Sequence, residues 1–472
     1  MTDTPAAKTA APARGKPAKP KTVKWPAGLA ARAAATAALA AVLDQRRPLE
    51  EALAAVPGYG ELESRDRAFA RLLVASTVRR LGQIDAMIKH CLERPIPRAG
   101  LMAQHILRIG TAQLMFLGTP AHAAVSAAVD HAEFAKLTAH KKLINAVLRR
   151  IAREGEALRD AQDAAKLNTP DWLWRSWVGA YGEATTRAIA TAHLAEPPLD
   201  IILMPGEHAG QWAERLEATL LPTGALRRAA DLSGAISDLP GYEDGRWWVQ
   251  DAAAALPAKL LLNALVKTKA AQVADLCAAP GGKTAQLAAA LNKSAGARVI
   301  ALDVNATRLD RLRQNLARLH LTAETLQADA GEWRPSQGLD GVLHDAPCSA
   351  TGTIRRHPDI ARSKRADDIA KLGPVQDRLL KNAIAMLKPG GVLVYAVCSL
   401  EADEGPRRIG SLLNDNPGLE RLPIKPAEVG GLEALITQKG DLRSLPSQLA
   451  APAHPALGGF DGFYAARLRK AK

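Results

Sequence analysis

Asp275-Leu-Cys-Ala-Ala-Pro-Gly-Gly-Lys-Thr284 decides the fold of this 472-residue chain. It closes an apolar run that opens at Gln272 and leads into a helical pattern, so it reads as the turn between a buried strand and a helix. Two later runs have the same design. His344-Asp-Ala-Pro-Cys-Ser-Ala-Thr-Gly352 and Val394-Tyr-Ala-Val-Cys-Ser-Leu400 each end a short apolar stretch. Open α/β sheets bind ligands beyond the carboxyl ends of their strands, which puts Cys348 and Cys398 beside a ligand crevice.

Working outward, the spacing predicts strands over 272–276, 298–303, 324–328, 341–344 and 392–397. Helices are predicted between them, as over 308–319 and 376–387, the latter stopped by Lys388-Pro-Gly-Gly391. The alternation implies a Rossmann-like, doubly wound, largely parallel sheet across 246–472. Asp303 ends the strand after the Gly-rich turn, about 20 residues on, where an acid grips ribose hydroxyls. Cys277 stands where a phosphate-binding loop needs glycine, and the full dinucleotide glycine pattern is missing. A nucleoside cofactor without pyrophosphate fits, and S-adenosylmethionine is the common one.

The rest of the chain reads as further domains. Residues 1–24 carry six bases against one acid and are rich in Ala and Pro, the composition of a disordered basic tail. Helical periodicity fills 25–159, with helices expected over 27–43, 66–81, 101–117 and 125–137. A less regular connecting α+β subdomain spans 160–245. In it, at least two of Trp172, Trp174 and Trp177 are expected to pack between domains rather than stack on bases. Before the sheet, Asp251 is read equally as a helix cap or a functional group.

Composition narrows the class. No apolar run is long enough to span a membrane, and the N-terminus lacks the stretch of a secretion signal, so a cytoplasmic protein is expected. Four scattered cysteines, Cys91, Cys277, Cys348 and Cys398, exclude a disulfide framework and show no zinc-ligand spacing, so no metal is expected. Lys and Arg outnumber Asp and Glu by 62 to 48, a net charge of +14 that favours a polyanionic partner.

Cys-Ala-Ala-Pro-Gly-Gly-Lys, then Asp-Ala-Pro-Cys-Ser, then Cys-Ser-Leu-Glu, in this order, resembles the Sun family of RNA cytosine-5 methyltransferases. Ser64-Arg-Asp-Arg-Ala-Phe-Ala-Arg71, Pro120-Ala-His-Ala-Ala-Val-Ser126 and Leu143-Ile-Asn-Ala-Val-Leu-Arg-Arg150 resemble the NusB-like RNA-binding bundle. Together they point to the family's bacterial ribosomal branch. The resemblance implies an all-α NusB-like bundle before the methyltransferase domain, S-adenosylmethionine as cofactor, and small-subunit (16S) ribosomal RNA as partner of a monomer. Arg65, Arg67, Arg71, Arg79 and Arg80 are candidate phosphate contacts on the bundle.

Carbon 5 of cytosine is too weak a nucleophile to take a methyl from a sulfonium unaided. An enzyme must first add a thiolate at carbon 6. On the residues alone Cys348 and Cys398 could exchange roles; the resemblance makes Cys398 the nucleophile and assigns product release to Cys348. Asp345 would bond the cytosine edge, with its carboxyl raised or shared, and also approach the cofactor. Asp303 would hold ribose, and Asp329 the adenine amino group or a local cap. Cys277, Ala278, Ala279, Pro280, Gly281, Gly282 and Lys283 would cradle the cofactor's amino-acid end. Lys283, Arg355 and Arg356 are expected to meet RNA phosphate, so that Arg355→Ala should weaken RNA binding and spare cofactor affinity. Two other classes remain: a non-catalytic RNA-binding assembly factor, and a methyltransferase acting on an amino group, which needs no thiol.

Overall fold

The computed structural model describes residues 25–472 except 27, 231–234 and 450–456; the basic tail lies outside the described residues. Ten helices come first. They are α1 (Ala30–Gln45), α2 (Leu49–Ala54), α3 (Ser64–Arg79), α4 (Leu81–Cys91), α5 (Leu101–Phe116), α6 (Ala121–Phe134), α7 (Lys141–Asp160), α8 (Ala164–Asn168), α9 (Asp171–Tyr181) and α10 (Glu183–Ala192). Two apolar clusters hold the bundle: Leu39, Leu73 and Val74 join α1 to α3, while Ile106, Leu107, Leu148 and Ile151 join α5 to α7. Gly110 permits the second contact, since a Cβ there would stand 2.8 Å from a methyl of Leu148.

The connector is more regular than its sequence suggests. Strand β1 (Leu199–Leu203), helix α11 (Ala209–Arg215) and strands β2 (Ala218–Leu220), β3 (Leu226–Arg228) and β4 (Trp247–Val249) follow, and the strands form one sheet in the order β2-β3-β1-β4. β4 pairs antiparallel with β1, so the run entering the catalytic half belongs to the connector's sheet. Helix α12 (Leu256–Leu265) starts five residues beyond Asp251, which instead accepts from Ala253 N and binds Arg355.

The main sheet carries β5 (Gln272–Leu276), β6 (Arg298–Asp303), β7 (Glu324–Gln327), β8 (Leu339–Asp345), β9 (Leu387–Val397), β10 (Leu419–Arg421), β11 (Leu442–Ser444) and β12 (Phe463–Lys470). Its order is β10-β12-β9-β8-β5-β6-β7, with β11 on β12. β5 to β9 run parallel and β12 antiparallel to β9. Helices α13 (Gly282–Leu291), α14 (Ala306–Arg318), α15 (Ile360–Ser363), α16 (Ala366–Met386) and α17 (Pro406–Asp415) complete the half. The sheet's order reverses at β5, which lies between β6 and β8, and this is the switch point where such sheets bind ligands.

Two expectations need correction. α16 begins at Ala366, ten residues earlier than predicted, and carries Pro374 inside it; Arg365 N donates to Asp368 to fix its start. The stop at Lys388-Pro-Gly-Gly391 holds, since α16 ends at Met386, but the strand expected over 392–397 starts at Leu387 and includes this run. Leu339 pairs Leu387 but Gly341 pairs Val392, and Gly390 at φ +79° makes the bulge.

Candidate active site

The pattern of short strands brings the three motifs to one edge. Asp345 ends β8 beside Ala396 of β9, and Cys398 lies two residues farther along. The loop after β8 then folds over the end of β9: Gly352 N donates to Cys398 O at 3.0 Å, and Gly462 N donates to Gly352 O at 2.8 Å. Only glycine fits at 352, because a Cβ would stand 1.8 Å from Gly462 O. The loops leave Cys348 Sγ 3.5 Å from Cys398 Sγ.

A buried polar network fixes that spacing. Ser349 Oγ hydrogen-bonds Ser399 Oγ at 3.1 Å, Ser349 N donates to Glu404 at 2.9 Å, Leu400 N donates to Thr351 Oγ1 at 3.0 Å, and Glu401 N donates to Ser399 Oγ at 3.0 Å. Ser349, Thr351, Ser399 and Glu404 are all fully buried. Buried polar groups that satisfy one another hold a single arrangement. The thiol of Cys348 is pushed well above its ordinary range, first by its hydrogen bond to Cys398 and then by burial.

At the Gly-rich turn, Cys277 takes φ +61° and Gly281 φ +105°, and Ala278 N donates to Leu302 O at 2.8 Å, which clamps the turn onto β6. Burial, with nearby carboxylates, pushes the Cys277 thiol up to about 12, so it is an inert wall rather than a nucleophile. Lys283 Nζ bonds Asp345 Oδ2 at 2.7 Å and sits 5.1 Å from the centre of the Phe463 ring. Burial works against its charge, but Asp345 and Asp275 outweigh it and raise its pKa. The Asp345 carboxylate is therefore shared, with one oxygen free for a ligand.

Two cavities meet at Cys277, Ala279, Asp345, Ala350 and Cys398. The smaller, about 340 Å³, also contains Asp303, Asp329 and Cys348. Asp303 is anchored by Asn305 N at 2.9 Å, and Asp329 accepts from Gly331 N at 2.7 Å and Arg378 at 2.9 Å, capping a turn rather than a helix. Three carboxylates around one cavity suit ribose hydroxyls, an amino group and a cationic sulfonium, so the residues fit S-adenosylmethionine. The larger cavity, about 660 Å³, is lined by Ala278, Pro280, Gly281, Gly282, Lys283 and Arg356. Most of the turn thus faces this second cavity; only Cys277 and Ala279 face both.

The arginine pair divides. Arg356 lines the larger cavity and pairs with buried Asp461. Arg355 does not face RNA: its side chain is 2% exposed and pairs with Asp251 at 3.0 Å and Asp461 at 3.7 Å. On the bundle, Arg79 donates to the carbonyls of His193 and Arg355, at 3.2 and 2.7 Å, and burial lowers its pKa to about 10. Arg80 binds the Leu194 carbonyl and lies over Phe116. Both join domains rather than meet phosphate. Trp177 packs against Ile354 and Leu400 of the catalytic half, donating Nε1 to Glu401 at 2.9 Å. Trp174 is buried with Ala165 and Ala190, inside the helical half.

Glu401, which ends the quoted Cys-Ser-Leu-Glu run, and Asp461, which precedes β12, were missed as site residues; their partners, distant in sequence, carry no local signal. Among the described residues there is no group of His, Cys, Asp and Glu able to hold a metal, and no helix long and apolar enough to cross a membrane.

Residues 262–469 match the family described as 16S rRNA methyltransferase RsmB/F, and residues 29–153 match the NusB family. The Ribosomal RNA small subunit methyltransferase B of Vibrio cholerae is 35% identical over 412 residues, 84% of this chain and 92% of that protein. The protein of the same name from Pseudomonas putida is 36% identical over 459 residues, 93% of this chain and 98% of its own length. The crystal structure of PH0851 shares the fold, with a TM-score of 0.70 at 22% identity, covering 93% of this chain and 98% of that one. The structure of NSun6 from Pyrococcus horikoshii with SFG has a TM-score of 0.51 at 19% identity, covering 64% and 98%, again a likeness of fold.

Proposed function

This chain belongs to the RsmB/F family of RNA methyltransferases, and from that premise we propose that it methylates carbon 5 of a cytosine in 16S ribosomal RNA through a covalent bond to Cys398. The observation that carries this reading is the pair of thiols, 3.5 Å apart where the two cavities meet. An amino-group methyltransferase needs neither sulfur, and an assembly factor needs no locked loops around them.

S-adenosylmethionine, held by Asp303, Asp329 and the Cys277–Lys283 turn, supplies an electrophilic methyl group. The rest falls to the chain. Cys398, as thiolate, adds to carbon 6 of a cytosine taken out of its stack, and the electron pair displaced from the 5,6 double bond makes carbon 5 nucleophilic. Asp345, steadied by Lys283, accepts from the exocyclic amino group of the base and orients it, and the Lys283 cation offsets the negative charge that thiolate addition puts on the ring. After methylation the carbon-5 proton leaves to a base, the double bond reforms, and the Cys398 sulfur departs with its electron pair. Cys348, whose sulfur lies 3.5 Å from that of Cys398, assists that departure. Arg356 and Lys283 line the cavity that would hold the RNA strand. Both thiols, Asp345 and Lys283 come from one chain, in keeping with action as a monomer.

The test is incubation of unmodified small-subunit ribosomal RNA with labelled S-adenosylmethionine, followed by nucleoside analysis. Wild type should yield 5-methylcytidine at one mapped position and Cys398→Ala none. Labelling of an amino group, or full activity of Cys398→Ala, would overturn the proposal.

A further inference from the structure

The larger cavity exceeds what a single flipped base requires and falls in the range of whole ligand sites. Arg318 and Tyr242 line it together with Cys398 and Asp345. Arg318 stands in the last turn of α14, and its Nη1 donates to the carbonyls of Tyr242 at 2.5 Å and Trp247 at 3.2 Å. Its guanidinium lies 3.9 Å from the centre of the Tyr242 ring. Gly245, at φ +68°, brings this turn against the helix, since a Cβ there would stand 2.3 Å from Arg318 O.

These contacts orient the guanidinium without neutralising it. Among the described residues no carboxylate pairs with Arg318; Nε is buried without an acceptor, and Nη2 has no acceptor and is not buried. A half-buried cation kept rigid and unpaired in the reaction cavity is built for an anion that arrives from outside. The same cavity offers Ile236 and Val249, 40% and 42% exposed, as apolar surface beside it.

We infer that Arg318, on its Tyr242 platform, binds the phosphate of a nucleotide adjoining the target cytosine through Nη2, while the base of that nucleotide covers Ile236 and Val249. This rests on the proposed RNA reaction and extends it: the connector's sheet and turn become part of the RNA grip. Arg318 is a binding residue for substrate, not a participant in bond making.

The test uses the full chain with unmodified small-subunit ribosomal RNA. Arg318→Gln keeps an amide donor for the Tyr242 carbonyl and removes the charge. It should raise KM for RNA roughly tenfold with kcat nearly kept. It should also flatten the dependence of log Kd on log salt by about one phosphate contact, leaving cofactor affinity and melting temperature as in wild type. Tyr242→Leu, which removes the platform but leaves the carbonyl, should raise KM by a smaller factor. Unchanged KM and salt slope for Arg318→Gln would overturn the inference, as would a rise in KM matched by a fall in melting temperature and cofactor affinity. RNA binding is read separately from turnover. An inactive wild type that still binds RNA, with Arg318→Gln losing one contact, would count against the proposed reaction and not against Arg318.

Discussion

Replacement of Arg355 by alanine tests whether this arginine is structural or an RNA contact. Four charges meet there, all but Arg356 in near-complete burial: Arg355 pairs with Asp251 and Asp461, and Arg356 with Asp461. The side chains of Arg355, Asp251 and Asp461 are 2%, 2% and 0% exposed. Burial opposes the charge of Asp251, but the two arginines and Arg227 hold its carboxyl below the ordinary range, whereas burial raises that of Asp461. Removing Arg355 leaves two carboxylates sharing one cation. Breaking a buried pair in this way costs about 3–5 kcal/mol. For a domain of this size that corresponds to a fall in melting temperature of roughly 6–20 °C. The loss should shrink in acid, where one carboxyl can take a proton and the remaining charges balance. Differential scanning calorimetry of wild type and Arg355→Ala at neutral and acid pH reads both effects. A melting temperature within about 2 °C of wild type, with RNA affinity reduced, would refute the reasoning and return Arg355 to the RNA surface.

Cys348→Ala should accumulate a covalent protein–RNA adduct, visible as a shifted band under denaturing conditions, while Cys398→Ala should form none; an adduct with the latter would reverse the two roles. Asp275 is buried against Thr284, and burial pushes its carboxyl up to about 7. The folded form binds a proton that the unfolded form releases near pH 4. Stability from this group is therefore fully present below that pH and is lost as pH rises to 7, by roughly 3–5 kcal/mol. Denaturant titrations of Asp275→Asn should lack that slope. Trp177→Phe keeps the packing but removes the donor to buried Glu401, so it should cost about 1–3 kcal/mol and lower kcat, measured on the same ribosomal RNA.

The parallel sheet was legible because four of its five parallel strands are largely apolar runs that stop at a residue with chemistry: Leu276 before Cys277, Leu302 before Asp303, His344 before Asp345, Val397 before Cys398. The start of α16 was not, since Pro374 reads locally as a break, while the capping pair Arg365 and Asp368 that begins the helix lies well upstream of it. Nor could adjacent arginines be told apart. Arg355 and Arg356 have the same neighbours in sequence, and their acid partners are 104 and 105 residues away. A charged loop beside a catalytic motif offers many routes to water in the unfolded chain; only closure of β12 against β9 brings Asp461 under it. Arg79 fails for the same reason, because its acceptors are main-chain carbonyls, which no sequence pattern marks.

Those long-range contacts change what the helical half does. Trp177 and Tyr181 of α9 bond Glu401 and the Leu400 carbonyl, three and two residues past Cys398. Arg79 of α3 holds the Arg355 carbonyl on the other loop, and Leu49 N at the start of α2 donates to Asp359 at 3.1 Å. The helices therefore grip the segments after both cysteines, from the side opposite the sheet's own hydrogen bonds. An RNA-binding module on a flexible linker would raise local substrate concentration and leave the thiols alone. Here α2, α3 and α9 are hydrogen-bonded to the loops that carry the two sulfurs. The arrangement of those loops and the seating of the helices are in this fold a single packing problem, because a buried Glu401 cannot keep its donors unless α9 stays seated.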